Sequence, residues 1–365
     1  MQAGLLKTFK INARSRGYWA WMLSAALFAF YVLMYFTEFF APFAESIGLG
    51  SKWNLYGTLY SLAIVVGGIY FLTKHGNSRY HRLRTISVMF FQIVFAYSIP
   101  LMMEIFESKG FTFSIFWPLK IDYFYPANIL EYPILLVVYA VVSFVIGVPI
   151  MTFLFGKRWY CSWMCGCGGL AETAGEPFRH LSNKSKKAWK FEQVAIHTVM
   201  LLAFATTALV AINWALYETN AQGEWVTQYA GFDSIASKVQ GSYQFIVVAM
   251  LSGVLGVGLY PLMGSRVWCR FFCPLAAILG LIQKFGRFRI TVKDEMCISC
   301  GNCSTYCEMG IDVRAYAQNN QSFKRAACVG CGICAHVCPR GVLKLENKWD
   351  FRAGAEDTRH KVLDF

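Results

Sequence analysis

Cys297-x2-Cys300-x2-Cys303-x3-Cys307, followed by Cys328-x2-Cys331-x2-Cys334-x3-Cys338-Pro339, is the stretch that decides the fold of the C-terminal part of this chain. The two four-cysteine sets have identical spacing. In such a run three closely spaced thiolates converge on one cubane, and the fourth reaches a second cluster. The spacing therefore predicts two [4Fe-4S] clusters, one held by Cys297, Cys300, Cys303 and Cys338, the other by Cys328, Cys331, Cys334 and Cys307.

Zinc and disulfide bonds are the alternative uses of these cysteines. Zinc sites usually show paired C-x2-C knuckles, and disulfides need an oxidising compartment. The run resembles that of bacterial two-cluster ferredoxins over roughly residues 290–345. One departure is Glu308, which stands where that family has a proline after Cys307. We expect this departure to affect the geometry of the turn and not the ligation of the cluster.

The remainder of the chain has the composition of a membrane protein. Of 365 residues, 56% are hydrophobic and 15% are charged, and the mean hydropathy is +0.42; ordinary soluble domains are about 25% charged. Six apolar runs are each long enough to cross the hydrocarbon layer as a helix. They lie near 18–41, 55–73, 85–105, 132–156, 192–214 and 243–264. The predicted fold is an α-helical membrane protein with six transmembrane helices and a C-terminal α+β two-cluster ferredoxin domain.

Four segments follow from this division of the chain. We predict a cytoplasmic N-terminus at 1–17, a six-helix membrane domain at 18–290 and a ferredoxin domain at 291–345. The polar tail at 346–365 is either a docking arm or disordered.

The distribution of basic residues predicts the orientation in the membrane. The loops on one side carry fifteen Lys and Arg residues before the ferredoxin domain is counted, and the loops on the other side carry four. The positive-inside rule then puts both termini and the ferredoxin domain on the cytoplasmic side of the inner membrane. The net charge of +13 is thus explained by topology and not by nucleic-acid binding. The aromatic outer loops, with Trp117 and Tyr125, are typical of an interfacial belt.

A repeat places two further cysteine pairs just past the fourth and sixth apolar runs. Gly156-Lys-Arg158-Trp-Tyr160-Cys161-x3-Cys165 matches Gly264-Ser-Arg266-Val-Trp268-Cys269-x3-Cys273 at an offset of 108 residues. Positions i and i+4 share a face of a helix, so we expect each pair to point one way. Four thiolates are what a third [4Fe-4S] cluster needs; the alternative is two redox-active or merely buried pairs. The thirteenth cysteine, Cys167, competes with Cys165 for this ligand position.

Six spans, two such motifs and a C-terminal two-cluster ferredoxin resemble the NosR/NapH/CcoG-type family of membrane-bound polyferredoxins, from about residue 85 onward. The resemblance implies electron transfer between the quinone pool or a membrane partner and iron–sulfur clusters, in a redox complex. The sequence shows neither a flavin-binding domain before the first span nor an immunoglobulin-like domain after the ferredoxin. The NapH-like branch, which oxidises quinol, is therefore the nearest.

His197 is the candidate quinone ligand, because an ionisable side chain inside a membrane span is a candidate functional group. A structural role for this histidine remains the alternative. No catalytic residue in the sense of acid–base or nucleophilic chemistry is predicted; the oxidoreductase activity would lie in the clusters. Two other functions stay open: a maturation factor that reduces a metal such as copper, and an iron–sulfur redox sensor. The basic inner face predicts an acidic carrier, such as a soluble ferredoxin or flavodoxin, as partner.

Overall fold

The computed structural model describes residues 16–106, 110–121, 125, 132–219, 225–227 and 229–347. Within this part of the chain, six helices are long and apolar enough to cross a membrane by length and composition, which confirms the six predicted runs and the mainly helical fold class. The predictions for the N-terminus up to residue 15 and for the tail from 348 lie outside the described residues. We number the helices spans 1 to 6: Tyr18–Phe36, Lys52–His75, Arg79–Ile105, Ile134–Phe155, Lys186–Ala215 and Ala230–Val257.

Several spans differ in their bounds from the prediction; spans 3 and 5, for example, each begin six residues earlier than the apolar runs, at Arg79 and Lys186. Span 1 ends at Phe36 because Thr37 is extended, and a separate short helix, Ala41–Ser46, follows. Span 6 begins at Ala230, thirteen residues earlier than the apolar run at 243. The additional polar turns pack against span 5, and this tertiary contact makes helical a segment that hydropathy alone does not identify.

Three spans contain stretches of wider π-helical turns, Gln92–Ser98, Ser143–Gly147 and Gln244–Val257. Such turns are rare and occur frequently at functional sites. The first of them begins at the buried Gln92, whose amide donates to Ser61 Oγ at 3.1 Å. A Cβ atom on Gly166 would lie 2.7 Å from the Gln92 Oε1 atom. A polar side chain of span 3 therefore packs directly against the turn that carries the first cysteine pair.

The segment between spans 3 and 4 turns back into the helix bundle. Trp117 is buried and donates its indole N–H to Thr207 Oγ1 on span 5 at 2.8 Å. Tyr160, the residue before Cys161, donates its hydroxyl to the Ser114 carbonyl at 3.0 Å. The prediction of an interfacial position for Trp117 is therefore wrong. Irregular backbone at membrane depth is tolerated where protein buries it, and here the helices around the segment bury it.

Short helical elements follow spans 4 and 6 and form the face that carries the cysteine pairs. After span 4 come Arg158–Cys161, Gly166–Glu172 and the 3-10 turn Glu176–Leu181. After span 6 come Tyr260–Met263, the π-helical turn Trp268–Phe272 and the helix Pro274–Phe285.

The C-terminal part is a small α+β unit, as predicted. Strand β3 (Phe288–Val292) pairs antiparallel with β4 (Leu343–Asn347), in the register Phe288↔Asn347 to Val292↔Leu343. Between them lie the helices Asn302–Thr305, Val313–Gln318 and Ile333–His336. A second hairpin, β1 (Tyr217–Thr219) with β2 (Trp225–Thr227), follows span 5. One continuous apolar core runs from span 5 through the cysteine pairs into the β3–β4 unit.

Candidate metal centres

Two small cavities in the C-terminal unit are each lined by four cysteines. The first is walled by apolar groups, by Arg314 and Arg340, and by the thiols of Cys297, Cys300, Cys303 and Cys338. The second lies beside Ile290 and Phe323 and is lined by Cys307, Cys328, Cys331 and Cys334. Each cavity thus combines three cysteines of one run with the fourth cysteine of the other run, which is the crossed pairing that the spacing predicts.

Left-handed glycines shape both cavities. Gly301 and Gly332 follow the second cysteine of their runs, with φ of 80° and 83°, and each begins a short helix. A side chain at such a φ is strained, so glycine is required there. These turns let consecutive cysteines face one cavity. Backbone N–H groups also point at sulfur atoms; that of Val342, for example, lies 3.4 Å from Cys338 Sγ.

The donor set of these cavities suits iron. Burial raises the pKa of Cys303 and of Cys328 to about 11, so these thiols release their protons when a metal takes their place. Among the described residues, no three His, Cys, Asp or Glu side chains converge on one point that would hold a single metal ion. Four thiols spread around one cavity match the outer ligands of a cubane, in which each iron takes one thiolate.

The two membrane-edge cysteine pairs fold into the same turn. The Cys165 N–H donates to the Tyr160 carbonyl at 2.8 Å, and the Cys273 N–H donates to the Trp268 carbonyl at 3.0 Å. In both turns the second cysteine is extended and begins a new helix. Hence the expectation that each pair lies on one face of a continuous helix is wrong, because the helix breaks between the two cysteines.

The four thiols of these turns nevertheless lie in one region of the structure. All four are buried in the same core. Burial and the neighbouring Cys165 and Cys269 raise the pKa of Cys161, although Lys157 opposes them. Burial and the neighbouring Cys269 and Cys161 likewise raise the pKa of Cys273. Sulfur atoms from the two halves of the repeat therefore lie within electrostatic reach of one another.

Cys167 lies beside Cys165 and differs from it. A hydrogen bond from the Cys167 side chain lowers the pKa of Cys165, and the N–H groups of Gly168 and Cys167 lower it further. The same contact and burial raise the pKa of Cys167. Cys165 is buried in one core with the other three thiols, whereas Cys167 is only half-buried at the edge of that core, and this position favours Cys165 as the fourth thiol.

A buried network of arginines and glutamates separates the membrane-edge thiols from the second cavity. Its acceptors are Glu172, Glu176 and Glu308, and its donors include Arg84, Arg179 and Arg266. The Glu308 side chain is fully buried, and its carboxylate lies 2.9 Å from Arg179 Nη1 and 3.1 Å from Arg266 Nη2. Burial would raise the pKa of Glu308, but Arg179 and Arg266 outweigh it and hold the pKa below its usual value. The two arginines thus favour the charged carboxylate of Glu308, whereas burial raises the pKa of Glu172 above its usual value in spite of Arg84 and Arg266.

The sequence reasoning missed this network. The expectation for Glu308 concerned only the geometry of its turn, and no partner was predicted for Arg266. A signal was present in the sequence, since a glutamate inside an otherwise uncharged cysteine loop requires a partner if it is buried. Gln92 carried a weaker signal as a polar residue inside an apolar run.

His197 lies in span 5 and borders a cavity that also reaches Cys269. Its Nδ1 atom is hydrogen-bonded to the Gln193 carbonyl. Since a carbonyl only accepts, Nδ1 donates, and Nε2 is the acceptor in the neutral ring. The ion pair of Glu192 with Arg270, 2.6 Å between Oε2 and Nε, closes another wall of this cavity.

Comparison with known proteins finds iron–sulfur domains in both parts of the chain. Residues 290–345 match the 4Fe-4S dicluster domain family. Residues 137–188 and 246–293 match the 4Fe-4S binding domain family. The two matched segments of the second family contain one membrane-edge cysteine pair each.

Several curated proteins are similar to part of the chain. The putative electron transport protein YccM of Escherichia coli is 24% identical over 165 residues, 45% of each chain. The ferredoxin-type protein NapH of the same organism is 24% identical over 181 residues, 48% of this chain and 57% of NapH. The regulatory protein NosR of Stutzerimonas stutzeri is 26% identical over 162 residues, 43% of this chain and 20% of NosR. The match thus spans about half the length of YccM and of NapH. No solved structure matches the chain.

Proposed function

We propose that this chain, a homologue of the NosR/NapH-type membrane polyferredoxins, moves single electrons between the quinone pool or a membrane partner and [4Fe-4S] clusters on the cytoplasmic side of the inner membrane. Its relatives confirm the family resemblance predicted from the sequence. One observation carries the proposal: twelve cysteines gather in three groups of four, and a buried ionic network connects two of the groups.

Two of the proposed clusters belong to the C-terminal unit. The ligand sets are those predicted from the spacing, and the two four-cysteine cavities support them. A bound cluster supplies one-electron redox chemistry. The surrounding chain would exclude water, hold the thiolates in place through N–H donors, and set the potential by burial and local charge.

A third cluster is proposed at the membrane edge, on Cys161, Cys165, Cys269 and Cys273. The burial and mutual proximity of these thiols support it, as does the match of both repeat segments to a 4Fe-4S binding domain. Cys167 would remain a thiol beside Cys165. This cluster would extend the electron path from the C-terminal unit toward the lipid.

The quinone site is proposed at the cavity beside His197. The cavity is lined by His197 of span 5 and by Cys269, so a quinone bound there would be next to the third cluster. His197 Nε2, as an acceptor, would receive the hydroxyl hydrogen bond of a quinol. The chain would act as a subunit of a larger redox complex, with an acidic carrier meeting its basic face.

Reoxidation kinetics test this proposal. Full-length protein in liposomes, with and without a quinone, is reduced anaerobically and its visible absorbance is followed. We expect quinone to accelerate reoxidation and the variant His197→Phe to slow it at least tenfold. Thr198→Ala, on the lipid-exposed face of the same helix, is the matched control. A rate that is the same with and without quinone would remove the quinone from the proposal while leaving the clusters.

A further inference from the structure

Glu308 stands between two groups of cysteines. It directly follows Cys307 in the second cavity, and its side chain is 0% exposed. Two arginines from the membrane domain share its carboxylate: Arg179 approaches Oε2 and Arg266 approaches Oε1. A bacterial ferredoxin with proline at this position has no charge there, so the carboxylate is an addition that the ligation of the cluster itself does not require.

Each of these arginines also reaches a sulfur atom. Arg266 Nη1 lies 3.7 Å from Cys269 Sγ at the membrane edge. Arg179 Nη1 lies 3.9 Å from Cys331 Sγ in the second cavity. One carboxylate is therefore connected, through a single arginine on each side, to a thiol of both sites.

The surroundings make these charges effective. Glu172 pairs with Arg266 and also with Arg84, and Glu176 pairs with Arg179. All these side chains are almost completely buried, so water screens them little and their mutual interactions are strong. The potential of an iron–sulfur cluster responds to nearby charge and to hydrogen bonds on its sulfur atoms. A change in the charge of Glu308 would consequently be felt at both sites.

We infer that Glu308 is a positioning residue that couples the reduction potentials of the membrane-edge site and the second ferredoxin site. It orients Arg179 and Arg266 toward their sulfur atoms and neutralises part of the positive charge of both arginines. A loosened contact on one side lets the carboxylate neutralise the other arginine more completely, so the two sites respond together. This inference rests on the proposed function, because it requires a cluster at each of the two sites.

Redox titration followed by EPR on the full-length, cluster-loaded protein tests the coupling. Signals are assigned to sites by their loss in Cys269→Ser and Cys331→Ser. Glu308→Gln keeps the shape of the side chain and removes its charge. We expect it to favour the reduced form at both sites by about tenfold, which is about 59 mV for one electron. Asp294→Asn, an exposed carboxylate of the same unit, is the matched control and should move neither signal.

Arg266→Lys provides the second test, which also serves if Glu308→Gln loses its clusters. We expect it to lower the potential of the membrane-edge site, because the shorter lysine loses the contact of Arg266 with Cys269 Sγ. We expect it also to lower the potential of the Cys331 site, because the carboxylate released from residue 266 neutralises Arg179 more completely. The inference is overturned if Glu308→Gln moves one signal only, or if Arg266→Lys leaves the Cys331 signal in place. Absence of any signal assigned to Cys269 in the unmodified protein would instead refute the third cluster of the proposed function, and the coupling with it.

Discussion

The two copies of the cysteine motif, Gly156–Cys165 and Gly264–Cys273, form the same turn but are held by different parts of the chain. In the first copy, Gln283 of the helix Pro274–Phe285 accepts the Lys157 N–H at 2.6 Å, and Arg158 stacks on Phe288 with 4.8 Å to the ring centre. These contacts come from the chain that follows the second copy.

The second copy is held by charge. Arg266 pairs with Glu172 and Glu308, and Gly264 packs against Ser182. Glu172 and Ser182 lie in the chain that follows the first copy. Each copy is thus fixed by the continuation of the other, one through an amide and an aromatic ring, the other through buried ion pairs. A repeated motif therefore determines the local turn, whereas the sequence outside the motif determines how the turn is anchored.

The largest effect is expected from the cysteines themselves. Replacing Cys161, Cys165, Cys269 or Cys273 by serine should abolish the membrane-edge EPR signal, whichever copy of the motif carries the change. The reason is that one cubane needs all four thiolates. Cys167→Ser is the matched control, since it leaves all four in place. Equal loss of the signal in Cys167→Ser and Cys165→Ser would break the assignment of the first copy.

Replacing one arginine in each copy should reveal the clearest difference in the stability that the two copies contribute. Arg266→Met leaves two buried carboxylates with one partner fewer, and breaking a buried pair costs about 3 kcal/mol or more. Arg158→Met removes a partly exposed stacking contact, which contributes about 1 kcal/mol. Thermal unfolding in detergent, followed by tryptophan fluorescence, measures both. Equal losses would mean that charge does not anchor the second copy.

The glycines that begin the two turns should give a smaller difference. Gly156 and Gly264 have φ of 73° and 97°, where any other residue is strained by about 1 to 2 kcal/mol. A Cβ atom on Gly156 would lie 2.5 Å from Cβ and 2.7 Å from Cγ of the bulky Phe288, whereas on Gly264 it would lie 2.5 Å from Oγ and 2.9 Å from the backbone nitrogen of the smaller Ser182. We expect both alanine variants to lower the melting temperature, Gly156→Ala more than Gly264→Ala.

Gly231→Ala is the control for this comparison, because a Cβ atom there meets nothing within 4 Å and its φ is ordinary. It should be neutral or slightly stabilising. Should Gly264→Ala prove the more harmful of the pair, the larger effect ascribed to the bulky Phe288 in the first copy would be incorrect.

The smallest effect concerns the segment that turns back between spans 3 and 4, which contacts the first copy through Tyr160. Tyr160→Phe removes one hydrogen bond to Ser114, which contributes about 1 kcal/mol. Tyr139→Phe removes an equivalent bond to the carbonyl of Phe113, in the same segment but away from the cysteines. Similar melting temperatures are expected, with a perturbed membrane-edge EPR signal in Tyr160→Phe alone. An unchanged signal in both would indicate that the segment does not support the site.

Much of the fold is readable from the sequence because local signals specify it. Runs of apolar residues predict the six spans. The identical spacing of the two cysteine runs, between Cys297 and Cys338, predicts the crossed cysteine sets that line the two cavities. Ligand spacing is a local property that acts through short loops, and the left-handed backbone of Gly301 and Gly332 completes these loops.

The rest depends on contacts between distant segments. Tryptophan in an outer loop is the residue type expected at a membrane interface. Only the hydrogen bond of Trp117 to Thr207 identifies this one as part of the helix bundle. The helix break before Cys165 and Cys273 is not visible from the i, i+4 spacing. The partners of Glu308 come from segments more than 40 residues away in sequence, so its role emerges only when those segments are assembled.

Iron and acid-labile sulfide in anaerobically purified, full-length protein test the central claim most directly. Three cubanes predict about twelve irons and about twelve sulfides per chain. About eight of each would contradict the membrane-edge cluster, and colourless protein loaded with zinc would contradict electron transfer by this chain altogether.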